Sequence, residues 1–408
     1  MPSPYLSRCA AFGAAMLLAS FASSAFAEPV TLAQSLDRAQ AGSPLITAAE
    51  AGIRAAEGRA RQAGLPPNPE ISVEAENFSG SGPYDGFGSA ETTFALEQRL
   101  ELGGKRGSRL AVARAEIEAA RLRLAVARAD VAKDVRSAFA EAAAAEDRVI
   151  LAREAFQRAE DLSRVVGILV DAGREPPLRA LRARSAVEEA RAKAQAAEAE
   201  AASARRALAT LIGVDGEGLT LVAEPPVRFA LAGPLDPTTS LDVKLADLEF
   251  AVANATIVRE RSASAPDVTL QAGIRRFEDT GDQAVIIGFS APIPVIDRNQ
   301  GNVAAARADA DAADARRRLA LAEAIRRNRD AEAALKTAEA RVAVLETRTV
   351  PQAEEALRLT RLGYEAGKFP LLEVLDAQDA LAIAKEDLIA ARLDRARAIA
   401  ALERAAAR

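Results

Sequence analysis

Asp171-Ala-Gly-Arg-Glu-Pro-Pro-Leu-Arg-Ala-Leu-Arg-Ala-Arg184 recurs further along the chain as Glu365-Ala-Gly-Lys-Phe-Pro-Leu-Leu-Glu-Val-Leu-Asp-Ala-Gln378. The two copies start about 194 residues apart, and a repeat at a fixed spacing determines the architecture before any local motif does. Gly107 and Gly301 are related by the same offset. Each copy predicts a short helix, two strands, a very long helix, a Gly/Pro turn and a return helix. A duplicated unit with so little sheet and such long helices is typical of a tube rather than of an enzyme.

The first 27 residues have the pattern of a secretory signal. Arg8 precedes an apolar stretch from Cys9 to Phe21, and Ala25-Phe-Ala27 is a small-residue cleavage site. The apolar stretch is too short to cross a bilayer as a helix. Cys9 is the single cysteine and no lipobox leads into it, so we expect no lipid anchor, no disulfide and no thiolate metal ligand in the mature chain.

The composition argues against several classes of function. Histidine is absent, which removes the commonest general base and metal ligand, so an enzyme is disfavoured. Arginines are interleaved with acids instead of forming a basic face, so we expect no nucleic-acid partner. Aromatic residues are only 4% and alanine is abundant, a composition that suits closely packed long helices.

Four segments of alternating polar and apolar residues predict strands. A single helix is predicted before the first of them, over 31–63. Each strand is long enough to cross a membrane when tilted, but four strands cannot close a barrel alone. The alternatives are a soluble sheet or one barrel shared by several copies, and the duplication together with the signal favours the shared barrel. The predicted strands span about 69–78, 91–102, 267–277 and 284–294.

Two helical hairpins follow the two pairs of strands, over about 105–212 and 301–406. In the first, a seven-residue spacing of apolar side chains predicts a coiled-coil seam at Leu110, Ile117, Leu124 and Val131. In the second, Pro351 is expected to kink or break the long helix. The predicted organisation is a signal (1–27), a first repeat (28–220), a linker (221–240) and a second repeat (241–408).

Two short motifs resemble a known family. Leu100-Glu-Leu-Gly-Gly-Lys-Arg-Gly107 is similar to the cobalt–zinc–cadmium resistance subgroup of the TolC-type outer-membrane efflux channels. Tyr364-Glu-Ala-Gly367, followed by Leu372-Glu-Val-Leu-Asp-Ala-Gln378, resembles the hairpin signature of the whole family. The resemblance extends over residues 30–406. It implies a mainly α TolC-like α/β barrel built from two helix–strand–strand–helix repeats.

The resemblance also implies an assembly and a location. Each chain of a homotrimer would contribute four strands to a shared twelve-stranded barrel in outer-membrane lipid, with the helices forming a periplasmic tunnel. A periplasmic adaptor (membrane fusion) protein would dock at the helical tips and connect the tunnel to an inner-membrane resistance–nodulation–division pump. The channel would be a passive exit duct, without catalysis and without a cofactor.

Acidic side chains at the second hairpin tip are the candidate aperture. Glu373, Asp376 and Asp379 are three residues apart, so they follow one side of a helix. In a threefold assembly Glu373 and Asp376 would form a ring of carboxylates, which favours cations. The family's aperture has acids at positions matching these two, and Asp379 is not covered by that match.

The first hairpin reverses this charge, because the positions matching the three acids are Arg179, Arg182 and Ser185. The hypothesis is that arginines of one hairpin pair with acids of its neighbour and help close the mouth, with Tyr364 adding a hydrogen bond as at the matching family position. The alternative is that these are solvated faces of a coiled coil. The candidate adaptor-docking residues are Gly173, Leu178, Gly367, Phe369 and Leu372, although glycine at a helix end also serves as an ordinary cap.

Three alternatives to a heavy-metal exit duct stay open. The same duct could carry drugs or other small molecules, since no metal site is visible in the tunnel. The chain could be a periplasmic coiled-coil adaptor or scaffold without a barrel, although two hairpins and long alternating strands argue against it. A carboxylate-dependent secreted enzyme is the third, and no paired acids point to a pocket.

Overall fold

A computed structural model describes residues 29–216, 219–222 and 235–407. The predicted signal and most of the predicted linker lie outside these ranges. The helices are α1 (Leu32–Gly42), α2 (Pro44–Ala63), α3 (Lys105–Asp171), α4 (Pro177–Ile212), α5 (Leu241–Ala263), α6 (Gln300–Val344), α7 (Val350–Glu365) and α8 (Leu371–Ala406). The strands are β1 (Glu70–Glu76), β2 (Glu91–Leu100), β3 (Val268–Phe277) and β4 (Gln283–Ser290). None of the helices in the described ranges combines the length and the apolar character needed to cross a membrane.

The prediction of one helix over 31–63 is wrong, because the segment forms two helices that meet at Ser43. Pro44 disfavours the helical conformation for the residue before it, and Ser43 is extended, with φ −67° and ψ 123°. α1 starts with a capping box, in which the side chains of Thr31 and Gln34 each accept a hydrogen bond from the other residue's backbone N–H.

The four strands form one antiparallel sheet in the order β1-β2-β3-β4. One face is apolar, since Ile71, Leu96, Ala272 and Ile287 are aligned across the four strands. This face is uncovered in the single chain, where Ile71 is 81% and Ile287 is 83% exposed. The opposite face is polar. There Arg275 forms ion pairs with Glu76 and Glu91 at 2.9 Å each.

The helices stand side by side in a row. α3 has 67 residues and, at about 1.5 Å per residue, is about 100 Å long. It therefore contacts other helices both near the sheet and near the hairpin turns. On the side of the sheet the contacts run α2–α3–α5–α6. Towards the hairpin turns they run α4–α3–α8, and α8 then contacts α6 and α7. The end helices α2 and α4 are on one edge of the row, and α6 and α7 are on the other.

The seam of α3 matches the predicted one at Val131, which is buried, and differs from it elsewhere. Leu110, Ile117 and Leu124 are only partly buried, whereas alanines at the same seven-residue spacing are buried. Small side chains at a helix contact let the backbones approach closely, so alanine occupies the tightest positions and leucine the margin of the contact. The buried alanines are Ala113, Ala120 and Ala127.

Pro351 does not break the second long helix. The helix passes from α6 to α7 through a π-helical turn at Leu345–Thr349. Proline has no N–H to donate to the carbonyl four residues earlier, at Thr347, and a wider turn accommodates that loss. α7 continues with Pro351 in its first turn.

The motif Leu100–Gly107 joins the sheet to the helices and the first repeat to the second. Lys105 Nζ lies 2.6 Å from Asp267 Oδ1, at the start of β3, and both side chains are mostly buried. Gly103 packs so closely on the second repeat that an added Cβ would lie 2.4 Å from the Cβ of Ala265. Glu101 accepts hydrogen bonds from both terminal nitrogens of Arg109, which lowers the pKa of Glu101.

An apolar core surrounds Leu208 at the end of α4 and includes residues of α1 and α3. At the end of α8 the guanidinium of Arg404 bridges Asp130 of α3 and Asp242 of α5, at 2.5 and 3.0 Å. The Arg404 side chain is 11% exposed. Three elements that are distant in sequence are therefore tied together by one buried cation.

Candidate functional site: the two hairpin tips

The two hairpin turns have the same backbone hydrogen bonds. We call α3–α4 hairpin 1 and α7–α8 hairpin 2. In hairpin 1 the Gly173 N–H donates to Val170 O at 2.9 Å and the next N–H donates to Leu169 O at 2.8 Å. In hairpin 2 the Gly367 N–H donates to Tyr364 O at 2.9 Å and the next N–H donates to Gly363 O at 2.8 Å. This is the Schellman arrangement, which needs a left-handed residue, and the two glycines have φ of 70° and 72°.

An apolar cluster connects the two tips within one chain. It contains buried residues from all four hairpin helices, so hairpin 1 and hairpin 2 pack on each other as well as internally. Tyr364, at the end of α7, is 6% exposed and belongs to this cluster. The buried members are Leu162, Val166, Ala183, Leu357, Tyr364, Leu371, Val374 and Leu381.

The predicted aperture acids lie on the first turns of α8. Glu373, Asp376 and Asp379 are all exposed, while Val374 between them is buried in the cluster. Within residues 29–216, 219–222 and 235–407, none of the three acids forms an ion pair. They are therefore solvated carboxylates on one side of a helix whose opposite side is packed.

Arg179 pairs within its own hairpin, with Nη1 lying 2.5 Å from Glu175 Oε1. Arg182 is exposed, and the described part of the chain offers it no ion-pair partner. Inside one chain, neither arginine contacts the acids of α8. A pairing between arginines and those acids would have to involve a neighbouring copy.

Tyr364 lies beside the Arg179–Glu175 pair. Burial raises the pKa of the Tyr364 hydroxyl, and the negative charge of Glu175 raises this pKa further. No group in the described residues meets hydrogen-bond geometry with Tyr364 Oη. The hydroxyl of hairpin 2 is thus held in its neutral form beside an ion pair of hairpin 1.

The candidate docking residues are exposed at both turns. Leu178 and Leu372 are 59% and 55% exposed, and Phe369 is 46% exposed. The Phe369 ring packs over Gly363, where an added Cβ would lie 2.1 Å from the ring.

Glu175, which lies beside Tyr364, and Gly363, which lies under the Phe369 ring, are not among the sequence-predicted site residues. The signal that could have found them is the repeat offset, which aligns the pair Leu169 and Glu175 with Gly363 and Phe369. In the described residues no group of three potential metal-ligating side chains comes together.

The family's sequence profile, described as outer membrane efflux protein, matches residues 35–214 and 238–408. The chain belongs to the outer membrane efflux protein family. The resemblance to TolC-type channels is therefore confirmed, and family membership favours a channel over a periplasmic scaffold or a secreted enzyme. The family's function places the chain in efflux across the outer membrane.

Two curated relatives are similar over most of their length. The cobalt-zinc-cadmium resistance protein CzcC of Cupriavidus metallidurans is 31% identical over 365 residues, which are 87% of this chain and 84% of that protein. The nickel and cobalt resistance protein CnrC of the same organism is 36% identical over 317 residues, which are 77% of this chain and 75% of that protein. The resemblance to the heavy-metal resistance subgroup is confirmed by these relatives.

Solved structures share the fold. A membrane protein from Pseudomonas aeruginosa has a TM-score of 0.81 and 24% identity, covering 92% of this chain and 89% of that one. The outer membrane protein VceC from Vibrio cholerae has a TM-score of 0.78 and 24% identity, covering 92% of this chain and 96% of that one. CusC, described as forming a transmembrane channel, has a TM-score of 0.79 and 19% identity, covering 93% and 92%. The predicted TolC-like, mainly α fold with a small sheet is confirmed.

Proposed function

We propose that this family member is the outer-membrane exit duct of a tripartite efflux system and that its cargo is divalent heavy-metal cations. The observation that carries the cargo is the similarity to CzcC and CnrC, whose names refer to resistance to cobalt, zinc, cadmium and nickel. The duct is passive, and the exposed acids at the tip of hairpin 2 supply the charge that suits a cation.

The working unit is a homotrimer. Support comes from the open edges of the single chain: β1 and β4 each have only one partner strand among the described residues, and the helical row ends at α4 and α7. The two edges differ from each other, so copies join head to tail, and in a bilayer the shared sheet closes into a ring because an open edge would leave backbone groups unpaired in lipid. Three copies give twelve strands, whose apolar face contacts outer-membrane lipid because no unpaired edge then remains.

The tips of hairpin 2 form the inner mouth of the duct. Three copies of Glu373 and Asp376 place six carboxylates around the axis, and a ring of acids attracts cations and repels anions. These acids are exposed and lack partners within the described chain. A metal cation is attracted to this ring without being held tightly, because a duct must also release its cargo.

The resting mouth is held by contacts between hairpins. Tyr364 and the Glu175–Arg179 pair connect the two hairpins of one chain. Arg182 has no ion pair inside the described chain, and its proposed partners are acids of the neighbouring copy, among them Asp379. Each exposed ion pair contributes only about 0–1 kcal/mol, so the threefold repetition sets the strength of the closure.

The partners at the tips are a periplasmic adaptor and, through it, an inner-membrane pump of the resistance–nodulation–division type. The glycine turns at Gly173 and Gly367 present exposed Leu178, Phe369 and Leu372 away from the membrane. Exposed apolar side chains at the end of a water-facing hairpin are characteristic of a contact surface.

Two measurements test this function. In planar bilayers, the double variant Glu373→Arg and Asp376→Arg should lower the preference for cations over anions, while Glu332→Arg, an exposed acid on α6, should not. Unchanged selectivity of the double variant would remove the proposed aperture. In cells, deletion of the chain should sensitise to cobalt, zinc or cadmium. Sensitivity to drugs alone would show that the duct serves the alternative cargo.

A further inference from the structure

The helix that leads to the tip of hairpin 2 changes its heptad register along its length. In α6, buried side chains recur at a spacing of seven residues, at Ala324, Ala331, Ala338 and Leu345. The next two positions in this series are Gln352 and Leu359, and both are exposed. In α7 the buried residues are Leu357 and Tyr364, which are again seven residues apart. The two helices therefore use the same spacing in different registers.

The two registers differ by one residue. Val342 of α6 is buried against α8. Counting in sevens from Val342 leads to Ala356 and Gly363. The residues that enter the cluster between the hairpins are Leu357 and Tyr364 instead, each one position later. An extra residue is therefore accommodated between the two registers.

The π-helical turn between α6 and α7 accommodates this extra residue. At its end, the Val350 N–H donates to the Leu345 carbonyl, five residues earlier, whereas an α-helix uses the carbonyl four residues earlier. At the matching place in hairpin 1, over residues 151–155, α3 is a continuous α-helix. The change of register is thus confined to the hairpin that carries the proposed mouth.

The sequence of α7 contains small and apolar residues in the register of α6 as well. They are Ala356, Leu359 and Gly363. If the turn between α6 and α7 were α-helical, α7 would be rotated about its axis by about 100°, and these residues would replace the present seam. Gly363 would then take the place of Tyr364. Leu357 would take the direction of Arg358, whose side chain is exposed.

Two local features hold α7 in the observed register. In a continuous α-helix the ring of Pro351 would clash with the Thr347 carbonyl, and the missing N–H would leave that carbonyl without its donor. Below the turn, Lys385 Nζ of α8 lies 3.3 Å from Glu354 Oε1 of α7 and 3.6 Å from Glu154 Oε2 of α3. Rotation of α7 would separate Glu354 from this lysine. The observed register is therefore the resting one.

We propose that the π-helical turn is a joint about which α7 rotates between two registers. In the second state the turn is α-helical, α7 has rotated by one residue and Tyr364 has left the cluster between the hairpins. The glycine turn of hairpin 2 then lies about 1.5 Å further along the helix axis, the rise of one residue. Exposure of Leu357 keeps this state in the minority, and a small bias shifts the populations.

The rotation weakens the contact between hairpin 1 and hairpin 2, because a glycine replaces the largest side chain that hairpin 2 contributes to it. In this respect the inference rests on the proposed function, since it makes the joint control the mouth at the hairpin tips. The joint itself is a property of the helix and is measured independently of transport.

Thiol labelling tests the rotation. Cys9 is the single cysteine, so in a Cys9→Ser background an introduced cysteine is the only thiol. Leu357→Cys reports on α7, and Val342→Cys, above the turn, is the control; both residues are buried within the chain. Pro351→Ala removes the clash that opposes the second state. We expect labelling by a maleimide to become about tenfold faster at 357, which is less than the full cost of a proline inside a helix allows, and to stay slow at 342.

Deletion of Thr347 in the Pro351→Ala chain is the matched control. The deletion brings Leu357 into register with Val342 without a π turn, so no extra residue remains and α7 has one register only. Labelling at 357 should return to the rate measured with Pro351 in place. Labelling that stays fast would show that loss of the proline loosens the helix in general, and the joint would be disproved.

A second variant leaves the backbone of the turn unchanged. Lys385→Ala releases α7 from the ion pairs that join it to α8 and α3. We expect labelling at 357 to become about two- to fivefold faster, the range for a partly exposed ion pair. Lys336→Ala, which removes an exposed lysine of α6, should leave the rate unchanged. This comparison decides the question even where Pro351→Ala fails to fold.

Conductance in planar bilayers connects the joint to the mouth. Pro351→Ala should raise the resting conductance, and the additional deletion of Thr347 should lower it again. Equal protection at 357 in the Pro351→Ala and Lys385→Ala chains, with their thermal unfolding transitions retained, would overturn the joint while the duct stands. Faster labelling with unchanged conductance would overturn its control of the mouth. A chain that never conducts would remove the proposed function and leave the labelling result in place.

Discussion

Hairpin 1 and hairpin 2 have the same turn and opposite surface charge. Gly173 and Gly367 adopt the same left-handed conformation and make equivalent hydrogen bonds, whereas Arg179 and Arg182 are replaced by Glu373 and Asp376. The backbone of a reversal is constrained by sterics and by its unpaired carbonyl groups, so both copies retain it. Exposed charges on the same hairpin carry no such constraint and are available for divergent function.

The far ends of the two return helices show the same contrast. Leu208 and Leu402 are matched by the repeat, and both have 0% of their surface exposed. Two residues further on, α4 has the exposed Thr210 and α8 has the mostly buried Arg404. The buried apolar positions are thus equivalent, and the polar positions beside them have acquired different partners.

The largest expected effect tests whether the buried positions are equivalent. Leu208→Ala and Leu402→Ala should each destabilise the fold by about 2–5 kcal/mol, because each removes a buried side chain and leaves a cavity. Thermal unfolding in detergent should show similar losses for both variants. A large loss for one and a negligible loss for the other would break the equivalence of the two repeats. Leu372→Ala, at an exposed position, is the matched control.

A smaller effect tests the difference between Arg404 and Thr210. Arg404→Ala leaves Asp130 and Asp242 without their shared cation, which costs about 3–5 kcal/mol for a buried pair and less here because Asp130 is 44% exposed. We expect a loss of about 2–3 kcal/mol, and a loss within about 0.5 kcal/mol for Thr210→Ala. Equal values for the two variants would contradict the structural difference between the two helix ends. Unfolding with denaturant provides the measurement.

The residues at the beginnings of the two long helices differ in their partners, and this difference predicts how the stability of the fold depends on pH. Lys105 pairs with Asp267, while the matching Asn299 donates hydrogen bonds to Glu260. Burial acts to raise the pKa of Asp267, but the hydrogen bonds from Lys105 and from the Leu102 N–H outweigh it and lower this pKa. The stabilisation of the fold by the Asp267 carboxylate is therefore present above the pKa of about 4 that this group has in the unfolded chain. It is lost as the pH falls through the lower pKa that Asp267 has in the folded chain.

Asp267→Asn should remove this part of the pH dependence and cost about 1.5–3 kcal/mol at neutral pH, the range for hydrogen bonds to charged groups. The measurement is unfolding between pH 7 and pH 3. An unchanged pH profile in the variant would show that Asp267 does not support the junction. Asp279→Asn, in the exposed turn between β3 and β4, is the control.

The smallest effect tests whether the two turns are equivalent. Gly173→Ala and Gly367→Ala place a Cβ in the left-handed region, which costs about 1–2 kcal/mol. Both positions have open space around an added Cβ, so strain of the backbone is the only expected cost. Similar small losses in unfolding measurements are expected for the two variants. Gly301→Ala, at a helical position with open space, should be neutral or stabilising.

Patterns that are repeated over many residues predicted the fold correctly, whereas local apolar patterns did not predict which side chains are buried. Duplication and alternation predicted a duplicated, mainly helical fold with a small sheet, because both are repeated over many residues, and the resemblance of two short motifs to a known family identified that fold as TolC-like. The heptad of Leu110, Ile117, Leu124 and Val131 indicated the right helix, but only Val131 is buried, since apolarity alone does not distinguish the closest helix contact from its margin. The prediction of a single helix over 31–63 is wrong because the helical pattern continues on both sides of Pro44, whereas Pro44 forces Ser43 out of the helical conformation.

At the tips, sequence reasoning found the exposed residues more readily than their partners. Glu373, Asp376 and Leu372 are defined by helical spacing and by the repeat, which are visible in one dimension. Glu175 pairs with Arg179 and lies beside Tyr364. The sequence does not predict the second of these contacts, because it joins a residue of hairpin 1 to a residue of hairpin 2.

By itself, the sequence determined that this protein is a duplicated, mainly helical wall with two strands in each half, because periodicity and Gly/Pro turns are local properties of the chain. Only the tertiary structure decided which alanines form the seam, which acids remain unpaired and which apolar side chains stay exposed at both tips. Those outcomes depend on the distances between helices, and distances are set when the whole row packs. For the same reason, the sequence shows that the charges of the two hairpins are reversed, but it does not show which residue each charge pairs with.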